Sequence, residues 1–149
     1  MTIRTNITLV AIMLLGVIAS QTQAEDLKKL LARFEKDEIV LLDVREGVEW
    51  KKGHIEGAML APFSRIAFDP ECRKIIASLP EGKDVYCYSN AGKRAFFAAN
   101  YLSERNGQPA TALKASMQSL ISAGFKEADL RPKGFLEQIK EQEAKDLGK

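Results

Sequence analysis

The sequence lacks the features that would indicate a metal, a nucleotide, a nucleic acid or a membrane as its partner. It has one histidine and two cysteines and contains no metal, nucleotide or flavin motif, so no cofactor is implied. Its formal net charge is only +2, with acidic and basic residues interspersed, which gives no reason to expect binding to nucleic acid or to an anionic membrane. It also lacks internal repeats and low-complexity segments. These absences leave a small globular chain.

The apolar run near the N-terminus is short for a membrane-spanning helix. It covers residues 7–19, whereas a spanning helix needs about 20 apolar residues. It follows Arg4 and is succeeded by small residues up to Ala24, which is the order of a secretory signal peptide. We expect residues 1–24 to be a signal peptide that is cleaved, with an uncleaved anchor as the alternative. Residues 25–149 then form a single domain, which is periplasmic or secreted and has no stable membrane anchor.

The two cysteines, Cys72 and Cys87, allow at most one disulfide bond. Small exported domains often rely on disulfides, so either these two pair or Cys87 is free for chemistry. A bridge between them would also act as a redox switch. The sequence supplies no distance between the two sulfur atoms, and both alternatives therefore stay open.

Helix-type and strand-type patterns alternate along the chain, which favours a parallel sheet flanked by helices. The predicted strands are Ile39–Val44, Ala58–Leu60, Asp84–Tyr88 and a weak one at Lys126–Leu130. The predicted helices are Glu25–Lys36, Glu46–Lys52, Cys72–Leu79, Lys93–Arg105 and Thr111–Ala123, with a polar, helix-prone tail from Pro132.

Two segments carry the clearest functional signal. The first contains Asp-Val-Arg at residues 43–45 and then Glu-Trp-Lys-Lys-Gly-His-Ile-Glu-Gly-Ala at residues 49–58. The second is a β-prone run that ends at Cys87, followed by a small-residue loop that reaches Lys93 and Arg94 at the start of a helix. Chain that turns from a strand into a helix directs several backbone N–H groups inward, which suits an anion. A thiol beside such groups has its thiolate form favoured, and the thiolate is the nucleophile.

Together the two segments resemble the rhodanese-like (sulfurtransferase) domain family. The family's usual signatures are D-V-R, an E-aromatic-x-x-G-H-I-x-G-A run, and a loop of the form C-x-x-G-x-R-[SA]. The resemblance extends over most of the chain after Ala24 and implies an α/β fold of three layers, with a central, mostly parallel sheet and helices on both faces. It also implies that Asp43, Arg45 and His54 support the active loop from behind, as scaffold.

The loop fits the family's pattern in two registers. The usual spacing places four residues between cysteine and arginine, whereas six separate Cys87 from Arg94. In the first register Cys87 is the nucleophile and the loop carries two extra residues. In the second register Ser89 occupies the nucleophile's place without an insertion, and Cys87 lies two residues earlier on the same face of the strand. We favour the first, because a serine cannot form a persulfide and has no evident base to activate it.

In the first register, the resemblance implies an exported sulfurtransferase. The Cys87 thiolate attacks the outer sulfur of thiosulfate or a similar small anionic donor, and a thiol or cyanide then removes that sulfur from the persulfide. The loop after Cys87 would bind the substrate, through Tyr88, Ser89, Asn90, Ala91, Gly92, Lys93 and Arg94.

Two other functions stay open. In the second register, with Ser89 in the nucleophile's place, the chain is a catalytically inactive rhodanese-like module that binds an anion or a protein. The segment 96–110, which is extra relative to the family, adds to this alternative. Its apolar side chains form either a packing face, which we favour, or an exposed docking surface: Phe96, Phe97, Tyr101 and Leu102. A phosphatase or an enzyme similar to arsenate reductases is the third alternative, because relatives with a wider loop accommodate a tetrahedral oxyanion.

Overall fold

The computed structural model describes residues 25–130, and these form a four-stranded sheet with helices on both faces. The predicted signal peptide at residues 1–24 and the helix-prone tail predicted from Pro132 lie outside the described residues. Among the described residues, no helix combines the length and the apolar composition that a membrane span requires.

The four strands lie in the order β2-β1-β3-β4, and each pairs with its neighbours in parallel. Their bounds are β1 (Ile39–Asp43), β2 (Met59–Leu60), β3 (Asp84–Tyr88) and β4 (Ala110–Ala112). The helices are α1 (residues 25–35), α2 (Gly47–Trp50), α3 (Pro70–Ala77), α4 (Lys93–Arg105) and α5 (Met117–Ser122). The predicted α/β architecture is therefore confirmed.

The two central strands, β1 and β3, bury side chains on both faces of the sheet, as expected for a parallel sheet that is covered on each side. Because side chains alternate along a strand, each strand contributes to two separate hydrophobic clusters. One cluster joins the sheet to α3 and α4, and it includes Leu42, Val85, Cys87, Ile76, Ala98 and Leu102. The other joins the sheet to α1 and α5, and it includes Leu27, Leu30, Leu41, Tyr88 and Leu120.

The start of α3 shows how local sequence sets an element boundary. The Asp69 side chain accepts hydrogen bonds from the backbone N–H groups of Glu71 (2.8 Å) and Cys72 (3.3 Å). Pro70 occupies the first helical position, where its missing N–H costs nothing. The helix consequently begins two residues before the predicted start at Cys72.

The helix predicted over Thr111–Ala123 is wrong in its first part. Residues Ala110–Ala112 form β4, which pairs with β3, and α5 begins only at Met117. Alanine favours a helix, but pairing with the open edge of β3 outweighs this weak local preference. The strand predicted at Lys126–Leu130 is also wrong: the structure has only an isolated antiparallel bridge there, between Ile55 and Glu127.

We predict that Leu120→Ala lowers the free energy of unfolding by about 2–5 kcal/mol, because it removes a fully buried side chain from the α5 cluster. Leu130→Ala is the matched control, since the same atoms are removed from a side chain that is 47% exposed. Its effect should stay within about 0.5 kcal/mol. Urea unfolding of both variants measures this difference, and equal losses would show that α5 does not pack as described.

Candidate functional site

The candidate site is the loop that carries the chain from the end of β3 to the start of α4. The backbone N–H of Val44 donates to the carbonyl of Tyr88 (3.1 Å), so β3 stays paired with the segment after β1 up to its last residue. The chain leaves the sheet at Ser89, and Gly92 adopts a φ of 76° just before the first residue of α4. That left-handed conformation favours glycine. The loop therefore lies at the carboxyl edge of a parallel sheet, where α/β proteins commonly bind ligands.

Ser89 lies at the base of this loop and is almost completely buried. Its Oγ accepts a hydrogen bond from the backbone N–H of Ala95 (3.3 Å), in the first turn of α4. Gly92, which precedes the helix, has no side chain that could act as a cap. Within residues 25–130, the hydrogen bonds leave the backbone N–H groups of residues 91–94 without an acceptor. The loop thus offers a set of backbone donors around a serine.

Cys87 lies inside β3 and not in the loop. It is fully buried, with Leu42 of β1 and Ala112 of β4 as its neighbours in the sheet. Burial raises the pKa of its thiol to about 12, so the thiolate form is scarce at neutral pH. The residue after it, Tyr88, is still paired with Asp43. The geometry therefore opposes the first register, and a nucleophilic Cys87 stays a prediction.

The second cysteine does not change this arrangement. Cys72 is buried in the first turn of α3, and both thiols are free in the structure. Burial, followed by the negative charge of Asp69, raises the pKa of the Cys72 thiol. Neither thiol therefore has the lowered pKa of a reactive cysteine.

Arg94, the basic residue that ends the loop motif, is committed to Glu49 of α2. Two hydrogen bonds join its guanidinium to the Glu49 carboxylate, at 2.6 Å and 2.9 Å, in the planar paired geometry that arginine provides. The Asn90 side-chain amide donates to the same carboxylate (2.7 Å). The hydrogen bond from Arg94, followed by the one from the Glu46 backbone N–H, lowers the pKa of Glu49 to about 2. Arg94 and Asn90 therefore hold the loop against α2, while Lys93 stays exposed.

Behind the loop, three buried polar side chains form a closed network. The Asp43 carboxylate accepts from Arg45 Nη2 (2.6 Å), from Arg45 Nε (3.0 Å) and from the Tyr88 hydroxyl (2.7 Å). Burial and the negative charge of Asp43 raise the pKa of Tyr88. Tyr88, predicted to bind substrate, is fully buried beneath the loop and donates to this network. Asp43 contacts Tyr88, the residue directly before the loop, and Arg45 is bonded to Asp43, so both lie behind the loop as a support would.

The network extends to the segment that carries the only histidine. Arg45 Nη2 also donates to the carbonyl of Gly53 (2.8 Å), which attaches the segment after α2 to the sheet. The His54 ring stacks on Trp50, with ring centroids 3.5 Å apart, and its Nδ1 lies 3.1 Å from the Trp50 carbonyl oxygen. These contacts are those of a half-buried structural histidine.

A family model for the rhodanese-like domain matches residues 26–128, which is most of the chain. The chain belongs to the rhodanese-like domain family. It is similar to the crystal structure of a rhodanese-related protein from Thermoplasma volcanium, with 25% identity over 66% of this chain and 90% of that chain, and a TM-score of 0.53. It is also similar to an uncharacterized protein from Saccharomyces cerevisiae, with 28% identity, 68% and 89% coverage, and a TM-score of 0.54.

A third similar structure is the rhodanese-like domain of a protein from Anabaena sp., at 25% identity, 70% coverage of this chain, 75% coverage of that chain and a TM-score of 0.55. No curated protein matches the chain. The comparisons thus establish the family of this rhodanese-like domain and its fold.

A groove of about 630 Å³ lies beside the loop of this rhodanese-like domain. Its lining combines the loop, two aromatic side chains of α4 and the end of β4: Ala91, Gly92, Lys93, Phe96, Phe97, Ala112, Leu113 and Lys114. Phe96 and Phe97 are 55% and 57% exposed, so the predicted packing face is wrong for these two residues. It is confirmed for Leu102, which is fully buried, and for Tyr101, which packs against the core. Leu113 and Lys114 are not among the predicted site residues, because the sequence predicts one helix over residues 111–123. Had the sequence indicated a strand that ends at Ala112, Leu113 and Lys114 would have been expected at the carboxyl end of the sheet, beside the loop.

Among residues 25–130, no group of three or more His, Cys, Asp or Glu side chains is arranged to hold a metal ion. The groups that the loop and the groove present are backbone N–H groups, one buried hydroxyl and exposed lysines.

We predict that Glu49→Gln lowers the free energy of unfolding by roughly 1–2 kcal/mol at pH 7, because it weakens the charge-assisted bonds to Arg94. The folded-state pKa of Glu49, about 2, lies below its ordinary value of 4.5. The contribution of the carboxylate is then fully present above about pH 4.5 and is lost as the pH falls through about 2. Urea unfolding at several pH values should show wild type and variant converging towards low pH.

Glu71→Gln is the matched control, since Glu71 is an exposed carboxyl paired only with Lys74 in the described chain. It should have little effect at any of these pH values. A loss for Glu49→Gln that stays constant from pH 7 to about pH 3 would contradict the Glu49–Arg94 interaction described here.

Proposed function

We propose that this rhodanese-like domain binds a ligand at the loop from Ser89 to Arg94 without taking sulfur covalently. One observation carries the proposal: Ser89, and not a cysteine, stands at the base of the loop, at the spacing from Arg94 that the family's nucleophile has. A hydroxyl cannot become a persulfide, and the Ser89 Oγ already accepts from the N–H of Ala95. Within residues 25–130, the hydrogen bonds of the Ser89 hydroxyl include none to a basic side chain that could activate it.

The sulfurtransferase alternative would have to use Cys87. Its thiol would need to leave a hydrophobic cluster between β1 and β4, and to lose a proton against a pKa of about 12. At neutral pH only on the order of one such thiol in 10⁵ is ionised. The phosphatase and arsenate reductase alternative needs the same thiolate, and in addition an arginine that is here bound to Glu49. Both facts favour noncovalent binding.

The loop suits a ligand with an anionic group. Its backbone N–H groups at residues 91–94 are directed donors at the start of a helix of 13 residues, and the exposed Lys93 adds a positive charge. Binding of this kind needs no bond to form or break. We further propose that the domain acts after export, on the strength of the signal-peptide pattern in residues 1–24.

We predict that the reduced wild-type protein gains no sulfur when it is incubated with thiosulfate, because its thiols are buried and protonated. Intact-mass spectrometry measures this directly, with Cys72→Ala run alongside so that Cys87 is the only thiol. A gain of one sulfur atom that survives Cys72→Ala and disappears in Cys87→Ala would refute the proposal and establish Cys87 as the nucleophile.

We also predict that Ser89→Cys, placed in a Cys72→Ala, Cys87→Ala background, gives a thiol that forms a persulfide with thiosulfate. Position 89 is as buried as Cys87, but it lies beside the unsatisfied N–H groups of the loop and not in a hydrophobic cluster, and these groups favour a thiolate. Intact-mass spectrometry is the readout: the Ser89→Cys protein should gain one sulfur atom, whereas the Cys72→Ala protein, whose one remaining thiol is Cys87, should gain none. The reverse result would count against the proposal.

A further inference from the structure

The groove beside the loop has an apolar interior and a basic rim. Phe96, Phe97, Ala112 and Leu113 supply the apolar lining, while Lys93 and Lys114 border it from the loop and from the end of β4. Its volume of about 630 Å³ is in the range of small-molecule sites. We propose that this groove binds an apolar monoanion, a molecule with an aliphatic or aromatic body and a single carboxylate or similar head. The inference rests on the proposed function and specifies its class of ligand.

The aromatic wall of the groove is held in place and is exposed. The Phe97 ring lies 6.3 Å from the ring of Phe63 and 5.5 Å from that of Phe96, the latter in an edge-to-face arrangement. Phe63 itself packs against the buried cluster of α4, so Phe97 is supported from below. Large exposed aromatic side chains that are fixed in this way mark binding surfaces. An apolar body that covers them would remove this surface from water.

The two lysines determine the charge of the ligand. Within residues 25–130, Lys93 and Lys114 take part in none of the ion pairs, whereas the neighbouring Arg94 is neutralised by Glu49. Both lysines are exposed and border the same groove, so an anion placed between them meets two positive charges and no carboxylate of the lining. A single anionic group between Lys93 and Lys114 is attracted by both lysines, whereas a neutral ligand gains nothing from their charges.

The experiment is a titration of the ¹⁵N-labelled protein, followed by amide chemical shifts, with three ligands that separate the body from the charge. 4-Phenylbutanoate has both, 4-phenylbutan-1-ol has the body alone, and acetate has the head alone. We expect 4-phenylbutanoate to shift the amides of residues 91–93 and 112–114 saturably, with a dissociation constant on the order of 1 mM. The alcohol and acetate should bind at least about fivefold more weakly.

Two variants test the groove, and each has a matched control elsewhere. Lys114→Glu should weaken 4-phenylbutanoate binding by about fivefold or more, since it replaces attraction by repulsion, and Phe97→Ser should weaken all binding that depends on the body. Lys28→Glu on α1 and Phe68→Ser, at a side chain 68% exposed outside the groove, should leave binding unchanged.

Several results would overturn the inference. If the alcohol bound as tightly as 4-phenylbutanoate, the anionic head would not contribute to binding. Chemical-shift changes confined to other residues would place the ligand outside the groove. Shifts of the groove amides that depend on protein concentration alone would show that a second copy of the chain covers the groove. Because the readout does not involve thiol chemistry, a failure here is distinct from a persulfide on Cys87, which would refute the proposed function itself.

Discussion

The buried Asp43 carboxylate is the constraint on which the site depends. A charge in the interior must be met by donors, and Asp43 is met by the Arg45 guanidinium, the Arg45 backbone N–H and the Tyr88 hydroxyl. Arg45 is where the chain turns towards α2, and Tyr88 is the last residue before the loop. The Asp43 carboxylate therefore fixes the two places where the chain leaves the sheet, after β1 and after β3. Glu49 on α2 and Arg94 on α4 are within hydrogen-bond distance because the chain segments that lead to α2 and to α4 are both anchored to Asp43.

Much of the fold was predictable because its central elements depend on patterns within short stretches of sequence. The bounds of β3 and α4 were predicted as observed, since an apolar strand and a helix with buried residues at spacings of three and four both have clear local signals. The strand β4 was not predictable in this way. Its three residues, Ala110–Ala112, carry no strand pattern, and only the open edge of β3 makes them a strand.

The site was predictable in its components but not in its register. The sequence shows that Cys87 and Ser89 lie on one face, two residues apart, but it does not show where β3 releases the chain. That point depends on pairing with β1, which continues to Tyr88 and keeps Cys87 in the sheet. The exposure of Phe96 and Phe97 is likewise a tertiary property, because the buried face of α4 is filled by four other residues: Ala95, Ala98, Ala99 and Leu102. This chain keeps the scaffold of the rhodanese-like family, and fold alone does not decide chemistry.

The short outer strands of the sheet also affect how copies of the molecule meet one another. β2 has two residues and β4 has three, and the backbone N–H of Ala110 is bonded to the Ser103 hydroxyl (3.1 Å). A sheet edge of this length offers an incoming strand very few backbone groups to pair with. The described domain consequently resists edge-to-edge aggregation, even though half of the residues in its two central strands are β-branched or aromatic.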